Sequence, residues 1–204
     1  LKRQQALEAV ADHLGQGLPV RSHDVPLEHV ALIKDVHFLT AKPVVFLANV
    51  SEDGYEESPY AEEVERHAAA SGSHVVRVCA AIEAELAELE DDDKGIFLLE
   101  LGLAEPGLNR VIRSGYELLT LQTFFTAGPK EVRAWTVPRM STAPQGAGKI
   151  HTDFEKGFIR AEVIAYDDYV SHAGEQGARD AGRWRLEGKD YCLEEGDVIH
   201  FRFN

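Results

Sequence analysis

Residues Pro43-Val44-Val45-Phe46-Leu47-Ala48-Asn49-Val50-Ser51-Glu52-Asp53-Gly54 decide how the chain is read. A proline opens a continuous apolar, β-branched run, which breaks abruptly into polar residues and a glycine. Such a run is the pattern of a strand buried on both faces, as in a parallel sheet. Ligands of open α/β sheets sit beyond the carboxyl ends of these strands, where Asn49 and Glu52 stand. A carboxamide can give and take one hydrogen bond each, which matches the N6/N7 edge of adenine, whereas a carboxylate only accepts. Taken alone, the stretch also fits a turn cap at Asn49 and a solvated Glu52.

Working outward, the 3–4 spacing of Val30, Ile33, Val36 and His37 predicts a helix over Leu27 to Thr40. Ala6, Leu7, Val10, Ala11 and Leu14 predict another over 1–14, stopped by Gly15-Gln16-Gly17, with 18–26 as a connector. That first pattern starts without a cap and the first residue is Leu1, so a processed product or fragment is expected. Downstream, Ser58-Pro59 reads as an N-cap and first-turn proline of a helix ending near Gly72. His74 to Cys79 reads as a second strand and Ile82 to Glu90 as an acidic helix. The charge run Asp91 to Lys94 reads as a solvated helix start, followed by helices at Ile96 to Leu101 and from Pro106-Gly107 to Leu119. Residues 27–119 thus read as half of a doubly wound α/β domain, and two parallel strands need further partners.

From Thr123 the texture changes to short strands and glycine turns. Gly128-Pro129 between two strands predicts a hairpin, and Tyr191 to Leu193 with Val198 to Phe203 predicts a second. Pro138 to Gly148 reads as a loop, Thr152 to Gly157 as a short helix capped by Thr152, and Ile159 to Tyr166 as an alternating strand. Phe124 and Phe125 are adjacent, so one faces out. Residues 120–204 read as a small α+β domain.

Composition is that of an ordinary globular chain, 44% apolar and 27% charged, and no apolar run reaches the roughly 18 residues of a membrane span. No partner membrane is expected. The net charge of −14 is uneven: residues 1–120 hold 10 Lys+Arg against 22 Asp+Glu, and 121–204 hold 11 against 13. Indiscriminate nucleic-acid binding is excluded by this balance, but Lys130, Arg133, Arg139 and Lys149 form a locally basic stretch that could meet RNA. Cys79 and Cys192 lack CxxC spacing and read as thiols of a reducing cytoplasm, with one long-range disulfide left open. No GxxxxGK[ST] phosphate loop and no HExxH is present, and no catalytic or metal-ligating set is assigned in this chain. His151 with Asp153 and Glu155 invites an acid/base reading, but first-turn carboxylates of a helix explain the pattern. Trp135 and Trp184 read as core.

Three further runs carry a resemblance. Asn49 to Gly54, Cys79-Ala80-Ala81-Ile82-Glu83-Ala84-Glu85 and Gly107-Leu108-Asn109-Arg110-Val111-Ile112-Arg113 resemble segments of the Obg-like ATPase family, called YchF in bacteria. Phe125 to Thr136, Ile150 to Ala161 and Leu186 to Tyr191 with Gly196-Asp197-Val198 look like that family's signatures as well. The resemblance covers nearly everything from about residue 27. It implies an α/β, partial P-loop NTPase (Rossmann-like) fold, followed by a small ubiquitin-like β-grasp domain of the TGS type. On that map 1–26 is the returning arm of a helical coiled-coil insertion and its connector, 27–119 the second half of the nucleotide-binding domain, and 120–204 the TGS domain.

The family implies ATP or GTP with Mg²⁺, ribosome or RNA as partner, a cytoplasmic monomer, and hydrolysis by the full-length protein. Related GTPases read guanine with Asn-Lys-x-Asp; here Val50 and Glu52 replace the lysine and aspartate, a departure similar to that family's, which implies relaxed or ATP-preferring recognition. The resemblance places Asn49, Val50, Ser51 and Glu52 at the purine, with Cys79, Ala80 and Ala81 as the second base-flanking loop. It places the phosphate loop and Mg²⁺ ligands in an N-terminal half outside this chain, which alone would then be inactive. A non-catalytic, TGS-based RNA- or ribosome-binding module is the alternative.

Overall fold

The computed structural model describes residues 2–23, 27–52 and 57–204, so Asp53 and Gly54 of the opening stretch, and 24–26 of the connector, lie outside the described residues. Two compact units divide between Leu118 and Leu119.

In the first unit, α1 (Lys2–Gly15) sets Ala6 and Val10 against Val20 and Ile33, with Leu7, Leu32 and Phe38 half-buried around them. The helix α2 is only Leu27–Ile33, where Leu27 to Thr40 was expected. Ile33 departs from helical geometry at φ −121°, a 3-10 turn follows at Lys34–Val36, and His37 reverses the chain in the left-handed region at φ 53°. That conformation is uncommon for a residue with a Cβ and stops a helix.

The strands β1 (Val45–Asn49) and β2 (His74–Val78) pair in parallel from Val45↔His74 to Asn49↔Val78. Parallel neighbours need a crossover, here α3 (Pro59–Ala70), whose first turn is held by Ser58 Oγ accepting from Ala61 N–H at 3.3 Å. The expectation that β1 is buried on both faces fails at Leu47, which is 51% exposed. Among the described residues the sheet has only these two strands, and Leu47 lies on a face left partly open.

Helices α4 (Ala80–Glu88) and α5 (Asp91–Glu100) bury Ile82, Leu86 and Leu98 together with Cys79. The helix α6 (Gly107–Leu118) returns against β2. Its first two amides have an external acceptor: Glu83 on α4 takes the N–H of Gly107 at 2.6 Å and of Leu108 at 3.1 Å.

The second unit has strands β3 (Leu121–Ala127), β4 (Val132–Pro138), β5 (Phe158–Ile164), β6 (Arg185–Glu187) and β7 (Val198–Phe203). They lie in the order β4-β3-β7-β5-β6, with β3 and β7 parallel and every other pair antiparallel. First and last strands side by side, with antiparallel pairs completed on either side of them, is the β-grasp order. The expected hairpin of Tyr191–Leu193 with Val198–Phe203 is therefore wrong. Val198–Phe203 inserts between β3 and β5, while Cys192 makes a single bridge to Thr142.

A second correction concerns Pro138 to Gly148, read as a loop. It contains most of α7 (Ala143–Ile150), with Pro144 in the first turn and a Thr142/Gln145 capping box. Ala143, Gly146 and Ala147 are small because α7 presses on the sheet: a Cβ at Gly146 would come within 3.4 Å of the Phe201 ring. Phe124, Val137, Ala161, Val163, Ile199 and Phe201 meet that helix from the sheet. Phe125, on the other face, is half-buried beside Tyr166.

The short helices α8 (Thr152–Lys156), α9 (Tyr166–Ser171) and α10 (Glu175–Asp180) complete the unit. The N-cap of α8 is His151, not the expected Thr152: its Nδ1 accepts from Asp153 N–H at 3.2 Å.

Two carboxylates are buried here. Glu162 accepts from Arg202 Nε and Nη2 at 2.9 and 3.0 Å. Asp197 accepts from Tyr191 Oη–H at 2.7 Å and Glu194 N–H at 2.9 Å.

Candidate functional site

The parallel pair brings its two carboxyl ends to one edge, and the two segments singled out at the sequence level meet there. Val50 N–H continues the ladder by donating to Val78 O at 2.8 Å. Asn49 Oδ1 accepts from Ala80 N–H, the first amide of α4, at 3.0 Å. A backbone N–H can only donate, so the carboxamide oxygen faces it and the Nδ2 amine is the end left for a ligand. The sequence reading gave Asn49 one bond to give and one to take; the structure spends the accepting bond on tying the two loops together.

Asn49, Ser51, Glu52, Ala80 and Ala81 are exposed and Val50 is half-buried. Cys79 differs. Its side chain is 2% exposed and packs with Ile82, Leu86 and Leu98, so it offers only backbone to the edge. Its carbonyl accepts Glu83 N–H at 3.0 Å. Both cysteines are free thiols.

Glu83 was not singled out by sequence reasoning beyond its place in a signature run. It anchors α6 to α4 directly behind this loop, and a Cβ on Gly107 would lie 2.8 Å from its Oε1. The readable signal was Pro106-Gly107, a helix start without a side-chain cap of its own.

In the second unit the four basic candidates are not one cluster. Arg133 and Arg139 bracket β4, so their backbones stand about 20 Å apart at 3.4 Å per residue. Arg133 stacks its guanidinium 4.4 Å from the Trp135 ring centre and pairs with Glu131 at 3.8 Å. Arg139 Nε donates to Leu121 O at 3.4 Å at the far end. Lys130 stands at the rim of an apolar groove of about 460 Å³ lined by Trp135, Ile150, Phe154 and Phe203 among others. Lys149 is exposed in the last turn of α7, next to Ile150 of that groove.

The His151–Asp153 pair is exposed, and a ring nitrogen that accepts a backbone N–H is serving as a cap. Among the described residues no three His, Cys, Asp or Glu groups come together as a metal site. Also among them, no helix is long and apolar enough to cross a membrane.

The molecule has clear relatives. Residues 121–204 match the family model YchF-GTPase_C, described as a protein of unknown function (DUF933). The chain is 62% identical over 185 residues to the Ribosome-binding ATPase YchF of Pasteurella multocida, covering 91% of this chain and 51% of the relative. It is 61% identical over 185 residues to the protein of that name from Haemophilus influenzae, with the same coverage. Among solved structures, the Schizosaccharomyces pombe YchF GTPase superposes with a TM-score of 0.83 at 32% identity, covering 98% of this chain and 54% of the other. The chain spans about half the length of the curated relatives it matches. The mixed α/β first unit and the β-grasp second unit are the fold of that structure over the shared length. Over the residues it spans, this chain belongs to the Obg-like ATPase (YchF) family.

Proposed function

We propose that this chain supplies the purine-reading part and a TGS-type domain of a ribosome-associated, cytoplasmic NTPase that hydrolyses ATP in preference to GTP. The observation that carries the reading is the Asn49–Ala80 bond at the carboxyl ends of two parallel strands. It fixes Asn49 with its amine outward, able to donate to purine N7. The Val50 carbonyl then accepts from the N6 amine of adenine. Ser51 and Glu52 border the base on one side, and the backbone of Cys79, Ala80 and Ala81 on the other. Glu52 in place of aspartate carries its carboxylate one methylene further from the chain, so the acceptor for the N1 and N2 donors of guanine is displaced.

In this reading the boundaries run near residues 26 and 120, separating a coiled-coil arm and connector, half of the nucleotide-binding domain, and the TGS domain. The phosphate loop and the Mg²⁺ ligands belong to a further segment of the whole protein. Phosphoryl transfer rests on positioning and charge stabilisation of the phosphates, so the 204-residue polypeptide by itself is expected to be inactive.

The test is Asn49→Asp in the whole protein, read by equilibrium binding of a fluorescent ATP analogue. An aspartate keeps an oxygen for Ala80 N–H but loses the donor to N7. Binding is expected to weaken about 10- to 100-fold, the value of one good polar contact to a base, with the fold retained. Unchanged affinity would reject the assignment.

A second reading, an RNA- or ribosome-binding module acting through the second unit without catalysis, is favoured by the Arg133–Trp135 stack beside Lys130. The Trp135 ring is half-buried, and a cation stacked on its open side is suited to single-stranded bases. Reversing Lys130, Arg133 and Lys149 to glutamate is expected to abolish co-sedimentation with ribosomes at low salt. Arg139→Glu, at the other end of β4, is expected to leave it intact.

A further inference from the structure

A second cavity lies in the first unit, among side chains to which neither the purine site nor the relatives' names give a role. Three 3-10 turns, Val20–Ser22, Lys34–Val36 and Leu39–Ala41, fold around it. The first and third are tied together at Thr40, whose Oγ1 accepts Val20 N–H at 3.1 Å and whose carbonyl accepts from Arg21 Nη1 at 3.4 Å. The left-handed turn at His37 brings Phe38 back against Val20 and Ile33. The resulting cavity of about 410 Å³ has an apolar floor of Val20, Ile33, Phe38 and Ala41.

Its charged lining is of one sign. Arg21, Lys34 and Lys42 stand around the floor with His23 and His37 between them, and no carboxylate lines it among the described residues. This runs against the composition. Residues 1–120 hold 22 Asp+Glu and only 10 Lys+Arg, yet three of those ten converge here. The neighbouring acid, Asp35, is drawn away to Arg3 at 2.9 Å. Among the described residues, Lys34 and Lys42 have no ion-pair partner.

We propose that this cavity binds a small organic phosphate, with the anion on Arg21, Lys34 and Lys42 and the apolar body on Val20, Ile33 and Phe38. Arginine offers a planar fork to two phosphate oxygens and lysine a mobile point charge. The volume falls in the range of small-molecule sites, which are concave and largely apolar with a few placed polar groups. An RNA backbone would call for an extended basic track with aromatic platforms, whereas these cations converge on one concavity. The proposal is independent of the purine site, since none of its residues lines this cavity.

The probe is phenyl phosphate, with inorganic phosphate and phenol as its two halves, titrated into the full chain by calorimetry and followed by NMR of the histidine rings. Phenyl phosphate is expected to bind at least about tenfold more tightly than either half, a difference of about 1.4 kcal/mol, and to move the His23 and His37 signals. In the Lys34→Gln/Lys42→Gln double variant, both positions being exposed, this affinity is expected to fall about tenfold or more with the thermal midpoint unchanged. Equal affinity for phenyl phosphate and inorganic phosphate would overturn the proposal, as would undiminished binding in the double variant. A single-stranded oligoribonucleotide that moves the same two rings where phenyl phosphate does not would overturn it in favour of an RNA contact.

Discussion

Phe124→Ala is expected to destabilise the β-grasp unit by about 3–5 kcal/mol, the cost of emptying a phenylalanine site in a packed core. Phe124 is fully buried on the central strand β3 and meets Phe201 of β7 edge-to-face at 5.8 Å. The cavity would open beneath α7, whose Ala143, Gly146 and Ala147 have no side chain long enough to fill it. Both tryptophans of the chain, Trp135 and Trp184, belong to this unit, so their fluorescence in a denaturant titration follows its unfolding selectively. A midpoint unchanged within error would mean that the core is not organised around this ring.

Asp197→Ala is expected to cost about 2–4 kcal/mol, because it orphans two donors at roughly 1–3 kcal/mol each. The Tyr191 hydroxyl and the Glu194 amide both end on this carboxylate, and Arg185 approaches it at 3.5 Å. The cost depends on pH with a definite sign. Burial pushes the Asp197 carboxyl above its ordinary 3.8, outweighing the bonds from Glu194, Tyr191 and Arg185. A raised folded value means that its contribution is complete below about pH 3.8 and declines as pH rises through the folded value.

The deficit of the alanine variant is therefore expected to be largest in acid and smaller at neutral pH. Glu162 carries the opposite sign. The Arg202 bonds hold it below its ordinary 4.5, so its contribution is present above that pH and lost as pH falls through the depressed value. Fluorescence-monitored denaturation of the parent and Asp197→Ala across pH 4 to 7 separates the two. A deficit that grows toward neutrality would contradict the assignment at Asp197.

What could be read from the sequence follows the range of the interactions. Ser58-Pro59 marks the start of α3 because capping is local, and the Val44–Ala48 run marks β1 because burial leaves a contiguous trace. The α7 helix was missed because its proline and glycines look like loop chemistry; they serve a first turn and a close approach to the sheet. The pairing of β7 was missed because Phe125 and Val198 lie far apart in the chain, and the turn at Glu194–Asp197 resembles that of a hairpin.

At the candidate site, Asn49 and Ala80 were both readable as strand-end residues. The bond between them spans 31 positions and leaves no local pattern. Cys79 was readable as the end of a strand, but its burial depends on Leu98 of α5, which periodicity does not place against it.

The central position of β7 bears on the order in which the unit is made. Hairpin β3–β4 is complete by Pro138, yet its open edge awaits a strand that begins at Val198. At ribosomal rates of roughly 5–20 residues per second, those sixty positions take on the order of 3–12 s to synthesise. For that interval β3 has an unpaired edge, joined by one on β5 once Ile164 has been made, and the six-residue strand β7 then converts two separate pieces into one sheet.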